Sequence, residues 1–275
     1  MLEERMIRAF LMSVSTAALA APALAQSLPE PQKNRIQLGG ALAYIPQYAG
    51  SSDYDLRVLP YIGFENLAGF ELNGLALAYP LLDAGTGRGP GLWSVKAGPR
   101  LGFDFGRDSD DSPTLTGFED IGLSLLAGGF VRATYGPVGI RIDAGQDVAG
   151  GHDGFISDFS IGTFLPEGLL ADRLSVGPSL TLSWADQSHN QSVYGVTPVQ
   201  AAASGLPVTL LDSGFHRASA NLVTGYRIDD RWTLNAVISY REYLGDYRDS
   251  PILRAPDGAT SDVFTLVGIS RSFGL

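Results

Sequence analysis

Three histidines and one acidic run are the residues of this chain best suited to chemistry. His189 stands beside Ser188 and Ser192, His216 lies close to Ser213, and His152 is the third. A lipid-modifying enzyme of a membrane needs a serine nucleophile, a histidine base and a group that orients the base. Neither serine–histidine neighbourhood has that spacing, so no catalytic residue is assigned and no enzyme is expected. In the run "RDSDDSPTLTGFED", Asp108, Asp110 and Asp111 are clustered hard oxygen donors, with Glu119 and Asp120 beyond. The glycine and the closing glutamate of a calcium loop are missing, so the run reads as a solvated acidic loop that meets the divalent cations bridging lipopolysaccharide. No metal site and no cofactor are expected. A third set of charges is spread along the chain: Arg57, Lys96, Arg100, Asp104, Arg141, Asp143, Arg227 and Arg241. What those eight can do depends on the elements that carry them.

Those elements alternate with a period of two. In "LSVGPSLTLSW", Leu174, Val176, Leu180, Leu182 and Trp184 share one face and Ser175, Gly177, Ser179, Thr181 and Ser183 the other. "WTLNAVISYR", "GLWSVKAGPRLGFDF" and "GPVGIRIDAG" repeat the pattern, each a strand with an apolar and a polar face. A soluble sandwich would turn the apolar face inward, and a membrane barrel would turn it outward to lipid. The strands run to about ten residues, long enough for a tilted bilayer crossing. Their polar faces carry charges in mid-strand. Tyr44, Tyr61, Trp93, Phe105, Tyr135, Trp184, Tyr226, Trp232 and Tyr240 fall near strand ends, as interfacial girdles do. The fold class is therefore all-β, a transmembrane antiparallel β-barrel. In that barrel the eight charges share the polar, lumen-facing phase. They either line a constriction or pair as salt bridges that fill it.

Strands are expected near 35–45, 55–65, 68–80, 92–106, 119–132, 137–147, 154–165, 173–185, 215–228, 231–243 and 261–273. That number is odd, whereas single-chain bacterial barrels are even. Counting back from a periplasmic C-terminus puts the long segments 107–118, 186–214 and 244–260 outside and the short turns at 133–136 and 228–230 inside. Parity fails only before residue 92, where Asn73-Gly74, a hairpin-turn dipeptide, can split one segment into two. Twelve strands are expected, with ten the alternative.

Residues 1–25 read as a cleaved signal peptide: Arg5 and Arg8, an apolar stretch, then Ala23-Leu24-Ala25, with residues 26–275 as the barrel. Glu3 and Glu4 are unusual in such a leader and suggest a start at Met6. With no cysteine there is no disulfide framework and no lipoprotein attachment, and past residue 25 no apolar run is long enough for a membrane helix. A net charge of −10 without basic clusters excludes nucleic acid as the expected partner.

The stretch "AYIPQYAGSSDYDLRVLPYI" links the first two strands. Pro46, Gly50, Ser51 and Asp53 shape its turn, while Tyr48 and Tyr54 read as aromatics at headgroup level. Pro60 within the second strand suggests a bulge or a weakly bonded position. With "LGGALAYIPQYAGSSDYDLRVLPYI", "AGPRLGFDFGRDSDD", "LTGFEDIGLSLLAGGFV" and "ASANLVTGYRIDDRWTLNAVISYREYLGDYRDSPIL" in this order, the chain resembles the MipA/OmpV family of outer-membrane proteins. The final strand departs from the family, ending in Arg271-Ser272-Phe273-Gly274-Leu275 instead of Tyr-x-Phe. The resemblance implies a non-enzymatic barrel of the Gram-negative outer membrane, in contact with lipid and lipopolysaccharide. It also implies a scaffold role that links a lytic transglycosylase to a penicillin-binding protein. The alternative is a small passive porin or osmotic-response channel. The residues themselves do not choose between the two. Short periplasmic turns leave a scaffold only a small docking surface.

Overall fold

The alternating segments close into a barrel. The structure, a computed structural model, describes residues 35–87 and 89–274; the leader read in residues 1–25 lies outside them. The strands are β1 (Arg35–Pro46), β2 (Tyr54–Leu67), β3 (Phe70–Asn73), β4 (Ala76–Ala78), β5 (Leu82–Gly85), β6 (Gly89–Arg107) and β7 (Ile121–Gly136). Then come β8 (Val138–Asp147), β9 (Phe155–Thr163), β10 (Leu174–Ala185), β11 (Gly214–Arg227), β12 (Trp232–Tyr243) and β13 (Ser261–Gly274). Each pairs antiparallel with its sequence neighbour except β4 and β5, which both pair β6, and β1 pairs β13. Tyr79 N and Leu81 N still bond to β6 carbonyls, so β4 and β5 are one broken stave. The thirteen strands therefore make twelve staves, and the pairing of β4 with β6 closes the ring.

The twelfth stave is where Asn73-Gly74 predicted it. The turn falls one residue later than that dipeptide: Asn73 pairs with Ala76, and Gly74, at φ 56°, with Leu75 turns β3 back into β4. This hairpin is short. Its tip reaches only Ile62 and Phe103, through Gly74 N to Ile62 O and Phe103 N to Leu75 O. Above it, Tyr54–Ile62 of β2 has one strand neighbour among the described residues, β1, and the end of β6 has only β7. Two strands, β3 and β4, are thus missing from the wall on the half nearer the long loops, which leaves a notch. Pro60 lies in this open edge in unbroken register with Gly40, so no bulge forms. An edge tolerates a residue without an N–H.

The apolar phase faces outward. Leu42, Leu56, Val58, Ile140, Leu180 and Ile238 are all exposed on it. Trp93, Tyr135, Tyr226, Trp232 and Phe273 ring one end, while Tyr44, Tyr54, Trp184, Phe215 and Tyr240 ring the other. Tyr61 is a correction: it falls in the lumen phase and its hydroxyl donates to Gln37 Oε1 at 3.4 Å. The side chain of Phe105 lies outside the described set.

At the outer end, long connections fold over the mouth. The β10–β11 loop carries α1 (Gln187–Tyr194) and α2 (Pro198–Ser204), and the β12–β13 loop carries α3 (Gly245–Arg248). Asp186 caps α1 by accepting from His189 N, and Thr197 with Gln200 forms a capping box on α2. Four loops meet in one apolar core of Tyr48, Leu115, Phe118, Tyr194, Val196, Leu211, Tyr243, Tyr247, Ile252 and Leu253. Tyr48, expected at headgroup level, is 1% exposed inside this lid. Tyr54 does sit on the outer rim, stacked on Tyr44 at 4.7 Å.

Candidate functional site: the filled lumen and its lid

Inward-pointing positions alternate with the lipid-facing ones, so strand register alone delivers the predicted charges to the lumen. Nearest the end with the short turns, Lys96 pairs with Glu71 at 2.8 Å and Asp83 at 3.6 Å, and Arg132 approaches Glu71 at 3.9 Å. At mid-height, Asp143 receives Arg141 in a bidentate pair and Arg100 at 3.3 Å. Across the lumen, Arg241 pairs with Asp262, which also accepts from Tyr243 Oη at 3.0 Å. Asp158 accepts from Ser183 Oγ at 2.5 Å, and Ser183 accepts from Arg217 at 3.1 Å. An apolar patch of Ala43, Ile45, Leu59, Val223, Val237, Phe264 and Leu266 fills the remaining wall. Charges taken out of water in this way are stabilised by close pairing, which Asp143 and Asp262 have, while Asp158 and Arg217 meet only through Ser183.

Of the eight predicted lumen residues, Arg57 pairs with Asp55 at 2.9 Å beside the notch. Asp104 borders both cavities described below. Lys96, Arg100, Arg141, Asp143 and Arg241 belong to the pairs above. Arg227 has the inward phase but lies at the rim, largely exposed, bonded to Glu167 at 2.7 Å. Phase is legible in a sequence; height along the barrel is less so.

The signature loop resolves into two roles. Ser51 is buried and accepts from Asp53 N at 3.1 Å, and Gly50 at φ 88° lies under Leu253, where a Cβ would collide. Pro46 ends β1, and Tyr48 locks the loop into the lid. Tyr54 Oη accepts from Val263 N at 3.0 Å, tying the loop to the last strand.

The acidic run folds onto itself. Asp108 caps a short 3-10 turn, and Asp120 accepts from Ser109 N and Oγ at 2.8 and 2.7 Å, which holds its carboxyl below the usual range. Ser112 and Thr114 donate to Asp257 of the β12–β13 loop, pinning two loops together. These carboxylates build the lid.

Sequence spacing did not reveal that all three histidines converge. His152 enters from the β8–β9 loop, His189 from α1 and His216 from the start of β11, with ring centroids at 4.7 Å (His152–His189) and 5.2 Å (His189–His216). Burial depresses His189 to about 3, so it is neutral, and burial lowers His152 too. Among the described residues no serine hydroxyl bonds to a histidine ring; Ser192 Oγ contacts only His152 O, at 3.5 Å. The cluster borders a cavity of about 60 Å³ under the lid, together with Arg107, Arg217, Tyr194 and Asp104. A second cavity of about 30 Å³ lies beside Arg100, Asp143 and Asp158.

The solved structures similar to this one are distant from it. They include a FadL homologue of Pseudomonas aeruginosa (13% identity, 94% of each chain, TM-score 0.37). The toluene transporter TodX of P. putida shows 12% identity over 95% and 94% of the chains at TM-score 0.38. The outer-membrane expressed OmpT of Vibrio cholerae shows 9% identity over 90% and 100% at TM-score 0.36. No curated protein sequence matches the chain. A family model matches residues 38–273, nearly the whole barrel, and the chain belongs to the family it describes, that of the MltA-interacting protein MipA.

Proposed function

We propose that this protein is a closed, non-enzymatic barrel of the outer membrane that works by holding partners of murein synthesis, a lytic transglycosylase and a penicillin-binding protein, and not by conducting solutes. The observation that carries the reading is the lumen: Arg100, Arg141 and Arg241 are buried in ion pairs across it, and four loops with a common apolar core cover its mouth. The family's description as MltA-interacting supports the first partner. The docking surface lies on the periplasmic side. Most turns there are tight, but residues 164–173 between β9 and β10 form a longer connection with Leu169 and Leu170 about 60% exposed at its tip. Two adjacent exposed leucines on a loop are an anchor for a protein partner. Lipid and lipopolysaccharide contact the apolar belt and the acidic outer loops.

The test pairs a measurement on the refolded protein with one in cells. Planar bilayers should show no channels, and crosslinking in cells should capture a murein transglycosylase that is lost when Leu169 and Leu170 are both changed to Asp. Reproducible channels without murein partners would overturn the proposal in favour of the porin reading. Arg100→Ala with Arg141→Ala distinguishes plug from wall: conductance that appears only in this variant shows that the ion pairs seal the barrel.

A further inference from the structure

We propose that the mouth of the barrel holds a small oxoanion of the phosphate type, bound beneath the lid by Arg107, Arg217 and His152. Lower in the lumen, every cation named above has a carboxylate within ion-pair distance. The two arginines at the outer cavity differ. Arg107, 8% exposed, spends its two terminal nitrogens on the carbonyls of Val193 at 2.9 Å and Ser192 at 3.2 Å and stacks on Phe118 at 5.5 Å. Arg217, 4% exposed, donates to Ser183 Oγ. Neither has a carboxylate in salt-bridge range among the described residues, and the Nε of each is buried without an acceptor.

The histidines complete the donor set. His152 is 4% exposed, and its Nδ1 accepts from Gly154 N at 3.0 Å. The neutral ring therefore carries its proton on Nε2, which is also buried without a partner. Three N–H donors, two of them cationic, thus come from residues that border one cavity of about 60 Å³. Guanidinium has no acceptor capacity, so only acceptor atoms can satisfy this set. His189 adds the opposite function. Asn190 uses its amide nitrogen on Ala185 O, Asp212 O and Tyr247 Oη, which leaves its oxygen to face His189 Nδ1 at 3.3 Å. His189 is then protonated on Nδ1 and offers a lone pair at Nε2. Several acceptor oxygens and one hydroxyl are what hydrogen phosphate presents. Of the residues lining the cavity, Asp104 brings one negative charge and the two guanidiniums two positive ones, while Asp111, Asp120 and Asp158 act on those guanidiniums from beyond its wall. A divalent metal ion meets the wrong field and, at His152, a nitrogen that already bears hydrogen.

The test is a titration of the refolded full barrel in detergent with sodium phosphate, at constant ionic strength made up with sodium chloride. The thermal midpoint should rise and saturate with phosphate, following mass action, while chloride alone leaves it unmoved. The phosphorus-31 resonance of phosphate should broaden on addition of protein. Arg217→Gln should weaken the apparent affinity at least tenfold, whereas Arg227→Gln, at the exposed rim, should leave it unchanged. If Arg217→Gln does not refold, His152→Gln and the wild-type line broadening decide. Equal stabilisation by phosphate and chloride, or full retention of the phosphate effect in Arg217→Gln and His152→Gln, overturns the proposal.

Discussion

Replacing Asp143 by asparagine removes the single negative charge that lies between two guanidiniums. Arg100 Nε approaches it at 3.3 Å, and Arg141 grips it with two nitrogens, all three groups being almost inaccessible. At an effective permittivity of about 20, each contact at that range amounts to about 5 kcal/mol of Coulomb attraction. The carboxylate's own desolvation penalty, several kcal/mol, is relieved by the substitution, so the net cost is about 3–5 kcal/mol. Arg141→Gln should cost less, about 2 kcal/mol, because Asp143 keeps Arg100 as a partner. The double variant should then be more stable than the sum of the singles predicts, by at least about 1 kcal/mol. Urea unfolding of the barrel refolded into vesicles, followed by the fluorescence of Trp93, Trp184 and Trp232, measures all three. Additivity within error, or a cost for Asp143→Asn no larger than that for Arg141→Gln, would refute a lumen held by this shared carboxylate.

Other perturbations test the lid and its pH response. Asn190, fully buried, ties α1 to the strand before it, to Asp212 and to Tyr247; Asn190→Ala should cost about 2–3 kcal/mol and speed limited proteolysis between residues 195 and 207. Tyr48→Ala should cost about 3–5 kcal/mol as a cavity in the lid core, whereas Tyr54→Ala, at the rim on Tyr44, should cost about 1 kcal/mol; the same urea series separates them. Because burial holds His189 near 3 against an unfolded value of about 6.5, the unfolded chain binds the proton first. The stability due to the neutral ring is therefore complete above about pH 6.5 and falls towards pH 3, by up to about 1.4 kcal/mol per unit. His189→Phe should flatten that slope in a pH series of unfolding midpoints.

What could be read in the sequence was whatever strict alternation encodes. Lys96, Arg100, Arg141 and Arg241 faced the lumen because a strand offers only two faces. Asn73-Gly74 betrayed the hidden hairpin, displaced by one residue, because the turn needs a residue with positive φ and Gly74 supplies it. The turns themselves were opaque. Tyr48 and Tyr54 are six residues apart in one loop, yet one enters a core and the other stacks on the rim, since loop conformation is set by distant partners such as Leu253 and Val263. Tyr61 looked like a girdle residue by position while its phase, shared with Arg57 and Leu59, pointed inward. The histidines meet because the consecutive pairing of β8 to β11 brings the ends of β8, β10 and β11 together at one mouth, and no local spacing reports that.

The low stretch of wall between β2 and β6 bears on the lipid as much as on the protein. A barrel with an apolar belt that is tall on one side and short on another cannot match a bilayer of uniform thickness. The backbone groups from Tyr54 to Tyr61 that face away from β1 have no strand partner among the described residues and require water or headgroups, since hydrocarbon supplies none. The outer leaflet must therefore thin, or the barrel must tilt, towards that side. The molecule thereby imposes a fixed polarity on its surroundings in the plane of the membrane, a front and a back, although nothing in its ring of staves is otherwise directional.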